Sequence, residues 1–210
     1  MSRRLAPLFL LALAGCAYFN GIYNAREAAR DAERHERAGR EAEARAAWLR
    51  SAASAESVLV RHADDRWGAE ALFLAGRGLA LGARCERALP LLERYLAGGD
   101  PDAPQRAAAA LAVGRCLLDE GRATDALAVL APLAASGAAG AEAARWAARA
   151  ALVLERDADA TRFLVALPEE ERQWEWLDAA LARGDHARAE SLLVLRAAAG
   201  DASRDVPAAL

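Results

Sequence analysis

Three segments of the chain, "AGREAEARAAWL", "EGRATDALAVLAPL" and "RGDHARAESLLVL", share one spacing. A turn glycine (Gly39, Gly121, Gly184) is followed five positions later by alanine (Ala44, Ala126, Ala189) and nine positions later by a large apolar residue (Trp48, Leu130, Leu193). A fourth copy has Glu155 in place of the glycine, with Ala160, Leu164 and Leu167 following. A fifth, counted from Gly82, reaches Ala88, Leu92 and Tyr95 only if one extra residue is allowed. The pattern has a physical reading. Two antiparallel helices that meet just after a tight turn need a turn residue tolerant of positive φ and then a small side chain where the backbones approach. The large residue one turn further on fills the gap to the next pair.

Composition supports helices throughout. Hydrophobic residues make up 55% of the chain but aromatics only 6%, and much of the remainder is alanine, which suits close helix packing. Threonine occurs only at Thr124 and Thr161, and no segment alternates apolar and polar residues as a half-buried strand would. An all-α protein is expected. Asp102 with Pro104, and Pro168 with Glu169, Glu170 and Glu171, read as helix starts; Asp157 and Asp185 read as caps of second helices. "GGDPDAP", Gly98 to Pro104, is a loop, and the residues after Gly200 form a tail.

The recurring small and large positions resemble those of the second helix of tetratricopeptide (TPR) repeats, over roughly residues 25–199. The resemblance implies a right-handed superhelix of about five antiparallel helix pairs, whose first helices line a concave binding face. The copies are unevenly spaced and their first helices mostly lack the family's tryptophan and tyrosine; Val113 and Gly114 of the third copy are the nearest match there. An irregular helical bundle is the rival architecture.

The amino terminus has the build of an export signal, with Arg3 and Arg4 ahead of the apolar run Leu5 to Ala14, which is too short to span a bilayer. Leu13, Ala14, Gly15 and Cys16 resemble the lipobox of bacterial lipoproteins. That resemblance implies cleavage before Cys16 and attachment of diacylglycerol to its sulfur, with a further acyl chain on its amine. Two or three chains give a stable anchor where one holds only marginally. The expected division is a signal over 1–15, a lipidated lead over 16–24, the helical repeat domain over 25–199 and a tail over 200–210. Ala17, where an aspartate would favour inner-membrane retention, points to the periplasmic face of the outer membrane. An ordinary secreted protein is the alternative.

Little in the chain offers catalysis. His35, His62 and His186 fall in different repeats without metal-ligand spacing, so no metal or cofactor is expected. Glycine-rich phosphate loops and nucleophile elbows are absent from the sequence, and Glu169 to Glu171 read as a helix start. The formal charge of −3 becomes more negative when Arg3 and Arg4 leave with the signal, so nucleic acid is not an expected partner, and neither is a small-molecule substrate. In the repeat register Cys85 starts one second helix and Cys116 ends the next first helix. These ends lie side by side, either joined by a disulfide in an oxidising compartment or as two separately buried thiols. The same register aims Arg115, Arg145 and Arg149 at the inner face, where they could grip a carboxylate or an acidic partner. Trp174 and Trp176 read as packing between the last pairs.

A lipobox cysteine followed by five helix pairs is similar in layout to the BamD family, TPR lipoproteins of the outer-membrane β-barrel assembly machinery. It implies a non-enzymatic scaffold that binds an envelope protein, without assigning any partner-binding residue. Pilotin-like lipoproteins of pilus or secretin assembly, and periplasmic repeat proteins that coordinate wall synthesis with division, share the same layout. Lytic transglycosylases also use helical superhelices, but this length leaves no room for their catalytic domain.

Overall fold

The computed structural model describes residues 6–62, 67–98, 104–137 and 139–198, with side chains from residue 20 onward except those of 62, 196 and 198. The expected loop centre, Asp102 and the tail after Gly200 lie outside the described residues. Among those described, ten helices and no strands occur: α1 (Ala6–Arg37), α2 (Glu41–His62), α3 (Gly68–Leu81), α4 (Cys85–Gly98), α5 (Arg106–Asp119), α6 (Ala123–Ser136), α7 (Gly140–Val153), α8 (Asp157–Leu164), α9 (Glu169–Ala182) and α10 (His186–Ala198). Consecutive helices pack as five antiparallel pairs, and the pairs stack into a TPR-like α-solenoid.

The five turns within pairs are built alike. Each has one residue in the left-handed region: Gly39 (φ 67°), Ala83 (58°), Gly121 (76°), Glu155 (58°) and Gly184 (71°). The residue after it donates its N–H to a carbonyl five positions back, as in Arg40 to His35 (2.9 Å), Arg84 to Leu79 (2.8 Å), Arg122 to Leu117 (2.8 Å), Arg156 to Ala151 (2.8 Å) and Asp185 to Ala180 (2.9 Å). This closes the helix end as a Schellman motif does.

The turn geometry corrects the reading of the second copy. Its left-handed residue is Ala83, not Gly82, so Ala88 and Leu92 stand at the same offsets as in the other copies and no extra residue is needed. Gly82 is required for a different reason: a β-carbon there would overlap the side chain of Leu49 on α2.

Ala44, Ala88, Ala126, Ala160 and Ala189 are all buried, as are Trp48, Leu92, Leu130 and Leu164. Leu193, on α10, the last described helix, is half-buried. Seven residues before each left-handed turn residue, the first helix meets its partner through Ala32, Gly76, Gly114, Ala148 or Leu177. A β-carbon on Gly76 would stand 2.6 Å from Leu92 Cγ, and one on Gly114 would stand 2.5 Å from Leu130 Cδ2. The second pair therefore carries the glycine position that the sequence pattern credits only to the third.

Odd-numbered helices touch one another along the array, α1 to α3, α3 to α5, α5 to α7 and α7 to α9, whereas the even-numbered helices are held further apart. The first helices thus form the inner row. Packing begins before residue 25: Ile22, in the segment read as a lead, is buried against Val58 and Ala71. Among the described residues, no helix is long and apolar enough to cross a membrane.

Candidate interaction face

On the inner row, arginines of one first helix reach acidic residues of the next. Arg26 on α1 donates Nε and Nη2 to the two carboxylate oxygens of Glu70 on α3, at 2.6 and 2.7 Å, and Arg77 on α3 returns the contact to Glu33 at 3.1 Å. Arg115 on α5 reaches Glu142 on α7 at 3.4 Å. Arg145 on α7 donates to Glu171 on α9, and Arg149 holds Glu175 through Nε at 2.6 Å and Nη2 at 2.9 Å. Bidentate pairing of this kind fixes orientation as well as charge.

Aromatic rings also contact four of these arginines. Guanidinium carbons lie over Trp67 (Arg26, 5.6 Å), Trp48 (Arg77, 4.5 Å) and Trp146, which is contacted by both Arg115 (4.6 Å) and Arg149 (4.9 Å). Arg115, Arg145 and Arg149 therefore all lie on the inner row, each with a glutamate of the following first helix. They are pre-oriented members of a charged ladder. A partner carboxylate would have to compete with Glu142, Glu171 or Glu175 to reach them.

Two clefts open beside the ladder. One of about 240 Å³ lies between α1, α3, α5 and α7, floored by Leu81, Ala108, Leu111 and Ala112 and flanked by Arg77 and Arg115. The other, about 450 Å³, is floored by Leu118, Leu152, Ala179 and Ala182 and edged by Arg149, Glu175 and Asp178. Val153 on its rim is 63% exposed. An apolar floor with polar edges suits a side chain of an extended protein segment.

The carboxylates near this cleft differ in character. Asp178 keeps an exposed edge, but burial raises its pKa above the ordinary aspartate value; the neighbouring Glu175 adds to the rise and Arg149 opposes it. Asp157 is held below the ordinary value, chiefly by the hydrogen bond from Arg183 (3.0 Å), with Arg188 (3.2 Å) adding to it against a smaller desolvation effect. Asp157 is thus the first residue of α8, a clasp for α9 and α10, and not the cap expected from sequence. The cap position belongs to Arg156, which makes no side-chain cap bond. Asp185 does cap, accepting the N–H of Arg188 at 3.1 Å.

The structure joins Cys85 to Cys116 in a disulfide with Cα atoms 5.0 Å apart, tying the start of α4 to the end of α5. Trp176 is half-buried under Arg188, whose guanidinium carbon lies 4.5 Å from the ring centroid, and Trp174 packs beside Leu177 and Ala189. At Cys16 the backbone is helical within α1, while its side chain lies outside those described. Among the described residues, no three His, Cys, Asp or Glu side chains are grouped so as to hold a metal.

Sequence reasoning found the three arginines but missed Glu142, Glu171 and Glu175, together with Arg26, Glu33, Glu70 and Arg77. A usable signal existed. Arg26–Glu70 and Glu33–Arg77 share a separation of 44 residues, and Arg145–Glu171 and Arg149–Glu175 share one of 26, as expected when successive first helices run in register.

No protein-family model matches the chain, and no curated protein does. Solved structures do resemble it. PilW, described as a widely conserved type IV pilus biogenesis factor, superposes with a TM-score of 0.57 at 18% identity, over 86% of this chain and 95% of PilW. The nearly identical TPR-like repeats of a putative kinesin light chain from Podosopora anserina give a TM-score of 0.57 at 20% identity, over 86% of this chain and 97% of theirs. A singly substituted form of those repeats gives 0.56 at 20% identity, over 82% of this chain and 92% of theirs. At these identities the likeness establishes the fold: the chain is built as a TPR-like repeat solenoid.

Proposed function

We propose that this chain is a lipid-anchored scaffold of the bacterial cell envelope, holding a segment of a protein partner along its inner face in the assembly of outer-membrane proteins, as in the BamD family. The observation that carries the reading is the inner row itself. Its ladder of paired arginines and glutamates and its apolar cleft are formed before any partner arrives, so binding costs little reordering. The lipobox at Leu13 to Cys16 supplies the membrane attachment, and the Cys85–Cys116 bond suits the oxidising periplasm. No enzymatic role is assigned.

A second reading is assembly of a type IV pilus. It draws on PilW, a pilus biogenesis factor whose length this chain spans almost entirely. The two readings share the anchor and differ in the partner.

Intact mass spectrometry of the protein extracted from native membranes tests the anchor. The expected species starts at Cys16 and carries two or three acyl chains. A soluble protein retaining residues 1–15 would overturn the lipoprotein reading.

A further inference from the structure

The inner-row ladder has one rung that holds only its acid. Arg145–Glu171, Arg149–Glu175 and, with the charges exchanged, Asp157–Arg183 all join residues 26 apart, so α9 runs in register with the chain from residue 145 to 157. Between the second and third of these rungs, the same step taken from Leu152 arrives at Asp178. The α7 side of that rung is apolar, with Leu152 buried and Val153 exposed at the rim. Asp178 thus lines the larger cleft with a leucine where its neighbours on the ladder have a base.

The nearby arginines are already engaged. Arg149 turns Nε and Nη2 to Glu175, and Arg183 gives Nη2 to Asp157 and to the carbonyl of Leu152. Among the described residues, Asp178 makes no hydrogen bond or ion pair. Burial and the like charge of Glu175 raise its pKa, so its ionised form goes without the compensation that Glu171 and Glu175 receive from arginines. Such a carboxylate does not serve the stability of the fold.

The walls beside it decide what can pair with it. Leu118, Leu152 and Ala179 give the cleft an apolar floor next to the carboxylate. A basic side chain combines both features this surface can use, a hydrocarbon stem to cover the floor and a cationic head to donate to the acid. An apolar side chain would cover the floor but desolvate Asp178 without giving it a donor. An acidic one would add a further negative charge beside Glu175 and Asp178.

We propose that the larger cleft receives a lysine or arginine side chain of the bound partner segment, with its stem over Leu118, Leu152 and Ala179 and its cationic head on the Asp178 carboxylate, completing the rung from outside. This rests on the inner face being where a partner is held, and adds which side chain is read there.

The probe is the capped pentapeptide Ala-Ala-Lys-Ala-Ala, compared with its norleucine counterpart, which keeps the stem and lacks the head, and with its glutamate counterpart. Each is titrated into the full chain, purified in detergent with isotope-labelled leucine and valine methyl groups. The lysine peptide is expected to shift the methyl resonances of Leu152 and Val153, the norleucine peptide to bind about tenfold more weakly, and the glutamate peptide to leave both unmoved. Asp178→Asn removes a charge that opposes folding, so the variant is expected to fold, and it should bring the lysine peptide down to the norleucine level. Glu190→Gln, the same loss of charge at an exposed position on α10, should not. Equal binding of the lysine and norleucine peptides, or indifference to Asp178→Asn, overturns the basic-residue site and leaves the inner face standing as an apolar surface. Preference for the glutamate peptide overturns it in favour of recognition through Arg149. Shifts at neither methyl group with any peptide overturn the cleft as a side-chain site, and crosslinking from Val153 in native envelopes then reports separately whether the inner face holds a partner.

Discussion

Gly114 on α5 lies so close to Leu130 on α6 that a β-carbon there would meet Leu130 Cδ2 at 2.5 Å and Cδ1 at 2.9 Å. Leu130 is fully buried and cannot swing aside. Alanine is the better helix former by about 1 kcal/mol, but overpacking a closed core costs about 1–3 kcal/mol. Gly114→Ala is therefore expected to destabilise the fold by about 1 kcal/mol net, read by denaturant unfolding. Leu130→Ala alone leaves a cavity and costs about 3 kcal/mol. The double variant should lose less than the two single losses combined, since each change relieves the other.

The Cys85–Cys116 bond closes a loop across a separation of 31 residues. Constraining a loop of that size in the unfolded chain contributes about 3–4 kcal/mol. Reduction, or the paired change Cys85→Ser with Cys116→Ser, should lower the melting temperature by many degrees while circular dichroism at low temperature stays helical. Equal melting curves with and without reductant would mean that the two thiols are free in the purified protein.

Arg149 and Glu175 form an unequal pair, with the arginine side chain 37% exposed and the glutamate 6%. Removing the exposed partner strands a buried carboxylate, whereas removing the buried one leaves a cation that water can reach. Arg149→Ala is expected to cost about 3 kcal/mol and Glu175→Ala about half of that, by chemical denaturation at neutral pH. Arg145, 3.4 Å from Glu175 through its Nε, should limit the larger loss.

Asp157 and Asp178 should show opposite pH signatures. Asp157 has a lowered folded-state pKa through Arg183 and Arg188, so its contribution is complete above the unfolded value and disappears as pH falls through the folded one. Asp178 has a raised pKa through burial and Glu175, so its ionised form opposes folding above the raised value and the penalty vanishes in acid. Asp157→Asn is therefore expected to destabilise at neutral pH, Asp178→Asn to stabilise, and both effects to fade as the solution is acidified through the carboxylate range. Melting temperatures across that range check the sign of each.

The architecture was legible because it rests on a local rule, a turn followed by a small and then a large residue, that survives in the sequence at all five pairs. Misreading Gly82 as the turn residue had a physical cause. Glycine is demanded both by positive φ and by close approach, and sequence alone does not tell the two apart. Here Gly82 meets Leu49, while Ala83 and Glu155 adopt positive φ without being glycine. The inner-facing arginines were legible from the register of the first helices. Their glutamate partners were not, because they lie one repeat away and depend on how neighbouring pairs are rotated. The role of Asp157 was missed for the same reason: Arg183 and Arg188 reach it from α9 and α10.

Photo-crosslinking in native envelopes tests whether the inner face is where a partner is held. A crosslinking amino acid at Val153, on the rim of the larger cleft, is compared with one at Val165, 68% exposed at the end of α8. The proposal predicts adducts at Val153, and not at Val165, with a component of the outer-membrane β-barrel assembly machinery. Adducts with a pilus-assembly component at the same position would support the second reading in its place. Crosslinks from Val165 alone, or none to an envelope protein from Val153, would contradict the inner face as the binding surface.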